Sequence, residues 1–185
     1  MNDKRGSNNI PNIKFKKKKA QVWVETVIYT LIGLTIIGLL LAVSKTAFDE
    51  QKDKALIEQA INGLGRVDEK MYEVLGGTGN KRKLELKIGS GQFIIDGETD
   101  KIVWELDSHF EYSEENVIVK AGKLNITTSP GSPWKVTLEM GTPFDIQFKG
   151  QSIKKPIGES PTPHVITIEN LGTPGGKTVI NFNEI

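Results

Sequence analysis

The sequence contains no cysteine and only two histidines among its 185 residues. The absence of cysteine excludes disulfide bonds, thiolate catalysis and cysteine-ligated zinc sites. His109 and His164 are isolated in or beside strand-like segments, and we interpret each as a surface or core residue rather than a metal ligand. Because no P-loop, nucleophile elbow, glycine-rich dinucleotide turn or His-Glu-x-x-His pattern occurs, we expect no enzyme activity, no cofactor and no metal site.

Acidic residues are scarce at the N-terminus, where a basic segment precedes a long apolar run. The first 20 residues contain seven basic residues and one acidic residue, Asp3. The apolar run Val22–Val43 has 22 residues. As a helix it would be about 33 Å long, which matches a hydrocarbon core of about 30 Å. Since basic flanks stay in the cytoplasm, we predict a membrane span with the C-terminal part of the chain outside.

This region has two other interpretations besides a membrane span. Ala42-Val43-Ser44 is a weak match to a secretory cleavage site, but the apolar run is longer than the roughly 7–15 residues of a secretory signal. The lysines Lys16–Lys19 could contact nucleic acid, although beside a membrane span they are better explained by topology. Removing residues 1–20 takes the 24 basic and 23 acidic residues to 17 and 22, a net charge of −5. An acidic exported portion argues against a nucleic-acid partner.

Beyond the span, the apolar residues continue at helical spacing as far as Leu75. We predict an amphipathic helix with a kink near Asn62–Gly65, because glycine weakens a helix, and a left-handed cap within Gly76–Asn80. The expected apolar stripe consists of Phe48, Ala55, Leu56, Ala60, Ile61, Leu64, Val67, Met71, Val74 and Leu75, with Asp53 on the charged face.

From Lys81 the apolar pattern changes to a period of two, which indicates strands. The predicted strands are Leu84–Ile88, Gln92–Ile95, Lys101–Leu106, Asn116–Lys120, Lys123–Thr128, Trp134–Met140, Phe144–Phe148, His164–Glu169 and Thr178–Phe182. We expect an α+β fold in which a long N-terminal helix precedes an antiparallel β-sandwich or barrel. A chain beginning at Asp49 or at Lys81 is expected to be a soluble, β-rich monomer.

Three segments of the β-rich part carry separate predictions. Gly150–Pro163 contains three prolines and is predicted to be a loop. The carboxylate-rich segment Asp96–Asp100 lacks the spacing of a calcium loop and is predicted to be a hairpin turn. Asn125-Ile126-Thr127 is a sequon for N-glycosylation, so Asn125 is a candidate modification site if this part of the chain is exported.

The membrane border carries a resemblance to a known family. Lys19-Ala20-Gln21, followed by Glu25 and an apolar helix, resembles the class III signal peptide of archaeal type IV pilins. The resemblance implies that a prepilin peptidase cuts after Ala20 at the cytoplasmic face. Gln21 would then be the first mature residue, and Glu25 the fifth, where the family places its glutamate.

The resemblance also implies a role for Glu25 in assembly. A carboxylate within a bilayer costs up to about 2.5–3.5 kcal/mol at a helix centre and less near the border. After cleavage, the new amino group of Gln21 would lie one helical turn away and could pair with Glu25 of the same subunit or of a neighbour. The alternative is a border glutamate that reaches water. Gly38 and Ala42 form a small-x-x-x-small pair that would allow close approach of a second helix.

These observations predict four regions and one leading function. The regions are a cleaved cytoplasmic leader (1–20), a transmembrane and filament-core helix (21–44), an amphipathic helix extension (45–76) and an extracellular β-rich head (81–185). We expect a structural subunit of a surface filament that assembles with copies of itself or other pilins, either as a pilin for adhesion or as an archaellin of a rotating filament. A surface or host-cell ligand is a candidate partner of the head. The alternative is an uncleaved single-span anchor whose β-domain binds a glycan or a protein.

Overall fold

The structure, a computed structural model, describes residues 16–185, excluding the side chains of residues 16–21 and Thr46. One long helix is followed by two β-sheets, which confirms the predicted α+β architecture. The helix α1 spans Lys16–Glu73 and continues as a 3-10 turn at Val74–Gly76. The strands are β1 (Lys81–Leu86), β2 (Gln92–Asp96), β3 (Lys101–Ser108), β4 (Ile118–Ala121), β5 (Leu124–Ser129), β6 (Trp134–Gly141), β7 (Asp145–Phe148), β8 (Lys154–Gly158), β9 (His164–Asn170) and β10 (Val179–Glu184).

The chain divides into two compact units, and the boundary lies within α1. One unit ends at Thr46 and contains the apolar part of the helix, while the other comprises Ala47–Ile185. The second unit, which we call the head, contains the distal part of α1 and all the strands described above. The helix therefore contributes to the head over its last residues, Ala47–Glu73.

The ten strands form two sheets of different size. The larger sheet has the strand order β4-β5-β6-β3-β2-β8, and every neighbouring pair in it is antiparallel. The smaller sheet has the order β1-β9-β10-β7, in which β10 and β7 are parallel. The parallel pair departs from the predicted antiparallel arrangement. It arises because the chain crosses to the larger sheet for β8 before returning for β9 and β10.

The prediction of a loop over Gly150–Pro163 was wrong in its middle. Residues Lys154–Gly158 form β8, which pairs with β2 and places Pro156 opposite Ile94. A strand at the edge of a sheet has a partner on only one side, so it tolerates a residue that lacks an N–H group. Ile157 is 4 % exposed, and its burial against the core supports the strand assignment.

One hydrophobic core joins the distal part of α1 to both sheets. The buried side chains of the helix recur at alternating spacings of four and three, which is the pattern of a helix that packs through one face. They are Asp53, Ile57, Ala60, Leu64, Val67, Met71 and Val74. The predicted stripe was wrong at its start, because Phe48 and Ala55 are exposed whereas Ile57 and Asp53 are buried.

At Gly63, α1 packs closely against the sheets. A methyl group added there would lie 2.9 Å from the Trp104 ring and 3.2 Å from Leu86. Trp104 is 2 % exposed, and its Nε1–H donates to the carbonyl of Ser90 at 3.2 Å. The helix is uninterrupted through Asn62–Gly65, where a kink was expected. The glycine at position 63 therefore makes room for the tryptophan.

The end of the helix is anchored to the smaller sheet. The Asn170 Nδ2 group donates to the carbonyl of Val74 at 3.2 Å, so it satisfies one of the last carbonyls of the helix. The backbone N–H of Gly79 donates to the carbonyl of Asn170 at 2.7 Å. Gly79 has a φ of +84°, which locates the predicted left-handed residue of this segment.

Candidate functional site

The first candidate site is the apolar surface of α1 between Val22 and Val43. Within residues 16–185, α1 is the one helix long and apolar enough to cross a membrane. Its fifteen large apolar or aromatic side chains are each between 39 % and 72 % exposed. They are Val22, Trp23, Val24, Val27, Ile28, Tyr29, Leu31, Ile32, Leu34, Ile36, Ile37, Leu39, Leu40, Leu41 and Val43. The chain is thus consistent with a single-pass membrane protein.

The threonine hydroxyls in this part of the helix, and the hydroxyl of Ser44 just after it, bond to the helix itself. Each donates to the carbonyl four residues earlier, at distances of 2.7–2.9 Å. The pairs are Thr26 with Val22, Thr30 with Thr26, Thr35 with Leu31, and Ser44 with Leu40. Because no water is available in a bilayer core, a polar group there must be satisfied within the protein. These side chains therefore add little to the cost of placing the helix in lipid.

The size of this apolar surface determines what must surround it. Burying one large apolar side chain stabilises by about 1.5–3 kcal/mol, so exposing all fifteen to water would cost roughly 20–45 kcal/mol. This cost exceeds the whole folding free energy of a typical domain, about 5–15 kcal/mol. The surface therefore requires a cover, either lipid or apolar surface from other protein chains.

The predicted cleavage and assembly residues all lie on α1. Lys19, Ala20 and Gln21 are part of the helix, and their side chains lie outside the described residues. Glu25 is exposed and lies one helical turn after Gln21, so the two positions share a side of the helix. Most of the predicted basic leader, residues 1–15, lies outside the described part of the chain.

Gly38 and Ala42 lie on an open face of the helix. Both are exposed, and their spacing of four residues places them on one side. A methyl group added at Gly38 would meet no atom within 4 Å. This face therefore has room for the close approach of a second helix, as the predicted small-x-x-x-small pair requires.

Asn125, the predicted glycosylation site, lies within β5 and not in a loop. It is half-buried, and its cross-strand neighbours are Lys120 on β4 and Glu139 on β6. Its side chain alternates with those of the buried residues Leu124 and Ile126, so it lies on the outer face of the larger sheet. Modification of Asn125 remains a prediction.

The predicted hairpin turn at Asp96–Asp100 is confirmed. It joins β2 to β3, and the Asp96 carboxylate accepts hydrogen bonds from the N–H groups of Glu98 (3.0 Å) and Thr99 (3.1 Å). Asp100 accepts a hydrogen bond of 2.9 Å from the N–H of Ile146. The Asp96 carboxylate thus stabilises the turn, and the Asp100 carboxylate joins the turn to β7. Among the described residues, no group of three histidines or acidic residues could hold a metal ion.

Each of the two histidines contacts a carboxylate within the head. The Nδ1 atom of His164 lies 2.8 Å from the Glu184 carboxylate, and its Nε2 atom lies 3.0 Å from the carbonyl of Gly158. His109 contacts Asp53 of α1 twice: its backbone N–H donates to the carboxylate at 2.6 Å, and its Nδ1 atom lies 2.9 Å away. This link was not predicted from the sequence, because Asp53 was expected on the charged face of the helix.

A second link joins α1 to the turn between β4 and β5. The Lys123 ammonium donates to the Asp68 carboxylate at 2.7 Å and lies 4.2 Å from the centre of the Tyr72 ring. The hydrogen bond to Asp68 raises the pKa of Lys123 above its ordinary value. Lys123 is therefore a cation at neutral pH and holds the turn against the helix.

The chain matches no family model, no curated protein and no solved structure.

Proposed function

We propose that this chain is the structural subunit of a type IV pilus-like surface filament of the archaeal type. It enters the membrane as a precursor, is cut after Ala20 and assembles through Val22–Val43. The observation that carries the proposal is that one continuous helix has two apolar surfaces. The surface at Val22–Val43 is exposed, whereas the stripe at Ile57–Val74 is buried in the core of the head.

This arrangement suits a subunit that exchanges one apolar environment for another. The head has its own cover for the distal stripe, so it needs no second chain to form its core. The proximal surface requires a cover at all times, because its exposure to water would cost roughly 20–45 kcal/mol. A direct transfer from lipid to a bundle of identical helices keeps that surface covered throughout assembly.

In this proposal, the basic leader sets the orientation of the chain in the membrane, and Glu25 guides assembly after cleavage. The leader holds the N-terminus in the cytoplasm and the head outside. A prepilin peptidase then removes residues 1–20 and leaves an amino group on Gln21. That group is a cation, and it pairs with Glu25 of a neighbouring subunit, where the low dielectric strengthens the attraction. The pair guides each new subunit into register with the last.

The test compares two glutamates of the same helix. In the Glu25→Ala variant, membrane insertion and cleavage should be retained, because loss of a border carboxylate lowers the cost of residence in lipid. Incorporation into filaments should fall at least tenfold. Glu25→Asp, which keeps the charge on a shorter side chain, should retain part of the incorporation. Glu50→Ala is the matched control, since Glu50 is exposed on α1 beyond the apolar run.

The measurement is the ratio of sheared, filament-bound subunit to membrane-bound subunit for each variant. Equal ratios for Glu25→Ala and Glu50→Ala would remove Glu25 from the assembly mechanism. If even the unaltered chain is absent from sheared material and keeps residues 1–20 in the membrane, the chain is instead the uncleaved single-span anchor that displays the head at the surface.

A further inference from the structure

The two sheets of the head end in four edge strands, and these edges differ in how they are protected. An edge strand carries backbone N–H and C=O groups that can pair with another chain, and proteins block such edges with charges, proline or covering segments. The edges are β4 and β8 in the larger sheet and β1 and β7 in the smaller one.

Three of these edges carry recognisable protection. The strand β8 contains Pro156 after two lysines, and β1 begins with the three basic residues 81–83. On β7, the N–H of Ile146 is occupied, because it donates to the carboxylate of Asp100. Each of these features opposes the addition of another strand.

The edge at β4 is different, because it is apolar and exposed. Val117, Ile118 and Val119 are 45 %, 60 % and 37 % exposed, respectively. Lys120 is the one charged residue in the strand. An exposed apolar strand at a sheet edge favours pairing with a further strand.

The register of β4 with β5 shows which backbone groups point outward. Ala121 pairs with Leu124 across the two-residue turn, so these residues form a hydrogen-bonded pair. The hydrogen-bonded pairs alternate along an antiparallel ladder, so Val119 also directs its N–H and C=O groups to β5. The corresponding groups of Ile118 and Lys120 are directed away from the sheet, towards an additional strand.

The charges around β4 favour one orientation of that strand. Three acidic residues, Glu111, Glu114 and Glu115, precede β4, and Lys120 lies near its end. Lys123 follows β4, but its ammonium is already paired with Asp68 of α1. A second copy in antiparallel orientation would bring its basic end beside this acidic end, whereas a parallel copy would place like charges together. The edge is therefore complementary to itself about a twofold axis.

We propose that β4 is a self-association edge, which pairs in antiparallel fashion with β4 of a second copy of this chain. Val119 meets Val119 at the twofold axis, and Ile118 of each copy forms a hydrogen-bonded pair with Lys120 of the other. Val117 of each copy lies opposite Ala121 of the other. A row of apolar side chains therefore continues from the larger sheet of one copy into the larger sheet of the other. A twofold contact does not propagate along a polar filament, so it joins heads of separate filaments or of separate anchored chains.

The contact is independent of leader cleavage and of the filament proposal. A short strand pair buries less than the roughly 1,200 Å² of a stable protein interface, so it is weak between dilute chains. It becomes effective where many copies are held close together on a surface, because the local concentration is then high.

The test uses single cysteines, which is direct because the chain contains none. In the proposed pair the Val119 residues form a non-hydrogen-bonded pair, with Cα atoms about 4.5 Å apart, a distance compatible with a disulfide. The full chain with Val119→Cys is placed in phospholipid nanodiscs at one chain per disc, so that the apolar helices cannot meet. The discs are concentrated to about 1 mM in chain, which matches the effective concentration of copies held together on a surface. Ile153→Cys is the matched control, because Ile153 is 38 % exposed and lies just before the edge strand β8.

Under mild oxidation, the Val119→Cys chain should form disulfide dimers at least tenfold faster than the Ile153→Cys chain. Adding Ile118→Lys to the Val119→Cys chain should remove most of this difference in the rate of dimer formation. Equal rates for the two cysteine positions, or no dimer at Val119→Cys, would overturn self-association through β4 and leave the edge to a different partner.

Charge reversal tests whether the two β4 strands pair in antiparallel orientation. Lys120→Glu in the Val119→Cys chain should slow its dimerisation severalfold, since acidic residues then meet at both ends of the contact. Mixing it with a Val119→Cys chain that carries Glu114→Lys and Glu115→Lys should restore mixed dimers. If Lys120→Glu leaves the rate unchanged, the antiparallel arrangement is wrong.

Discussion

Removal of the distal part of α1 is predicted to abolish folding of the head, although the strands begin only at Lys81. We compare a chain that begins at Ala47 with one that begins at Lys81. Five large apolar helix residues are completely buried in the head, namely Ile57, Leu64, Val67, Met71 and Val74. The same core contains residues of both sheets, so the strands lose their cover when the helix is removed.

The expected magnitude follows from this burial. At about 1.5–3 kcal/mol for each large apolar side chain, the five residues contribute up to roughly 8–15 kcal/mol, an upper estimate because unfolded chains also bury surface. A domain of this size is stable by only about 5–15 kcal/mol. The chain that begins at Lys81 should therefore not fold, and the expectation from sequence that it forms a β-rich monomer is revised.

Circular dichroism and thermal unfolding measure the outcome. The chain that begins at Ala47 should be a monomer with a near-ultraviolet signal from the buried Trp104 and one cooperative transition. The chain that begins at Lys81 should lack both features and aggregate. A cooperative transition at a similar temperature for both chains would show that the sheets fold without the helix, and would refute the reasoning.

Two further predictions concern the contacts of α1 with the head, and both are measured as changes in the unfolding free energy of the chain that begins at Ala47. Gly63→Ala should destabilise by about 1–2 kcal/mol, because the clash with the buried Trp104 ring outweighs the gain in helix propensity, whereas Gly65→Ala, at an open position, should stabilise by up to about 1 kcal/mol. If both variants stabilise, the close approach at Gly63 is wrong. Asp53→Ala should destabilise by about 1–3 kcal/mol, since it removes the acceptor for His109, and Asp53→Asn should cost less; an unchanged stability of Asp53→Ala would contradict this role.

The architecture could be predicted from apolar periodicity alone where one face of an element is buried. The alternation of Leu124, Ile126 and Thr128 towards the core is the burial that a period of two predicts. The strand β8 was missed because its proline was interpreted without knowledge that it lies at an edge. Which strands lie at edges depends on contacts between distant parts of the chain, so it cannot be deduced from a local pattern.

The bounds of the apolar surface could be predicted from the sequence, but the contacts between the helix and the head could not. The length and composition of Val22–Val43 identify the apolar surface directly, and the structure places it on an exposed helix. In contrast, Asp53 was predicted to lie on the charged face with the neighbouring acidic and basic residues, yet it is buried, as aspartate rarely is without a partner. Its partner, His109, lies 56 residues later in the chain, and only the fold brings the two together.

The most direct test of the proposed function is the mass of the chain in filaments sheared from the cell surface. The account predicts a mature chain that begins at Gln21 with a free amino group, produced by cleavage between Ala20 and Gln21. This amino group is the cation that the assembly mechanism requires beside Glu25. A surface-exposed chain that retains Met1 and the basic leader, or one that begins after Ser44, would contradict the account.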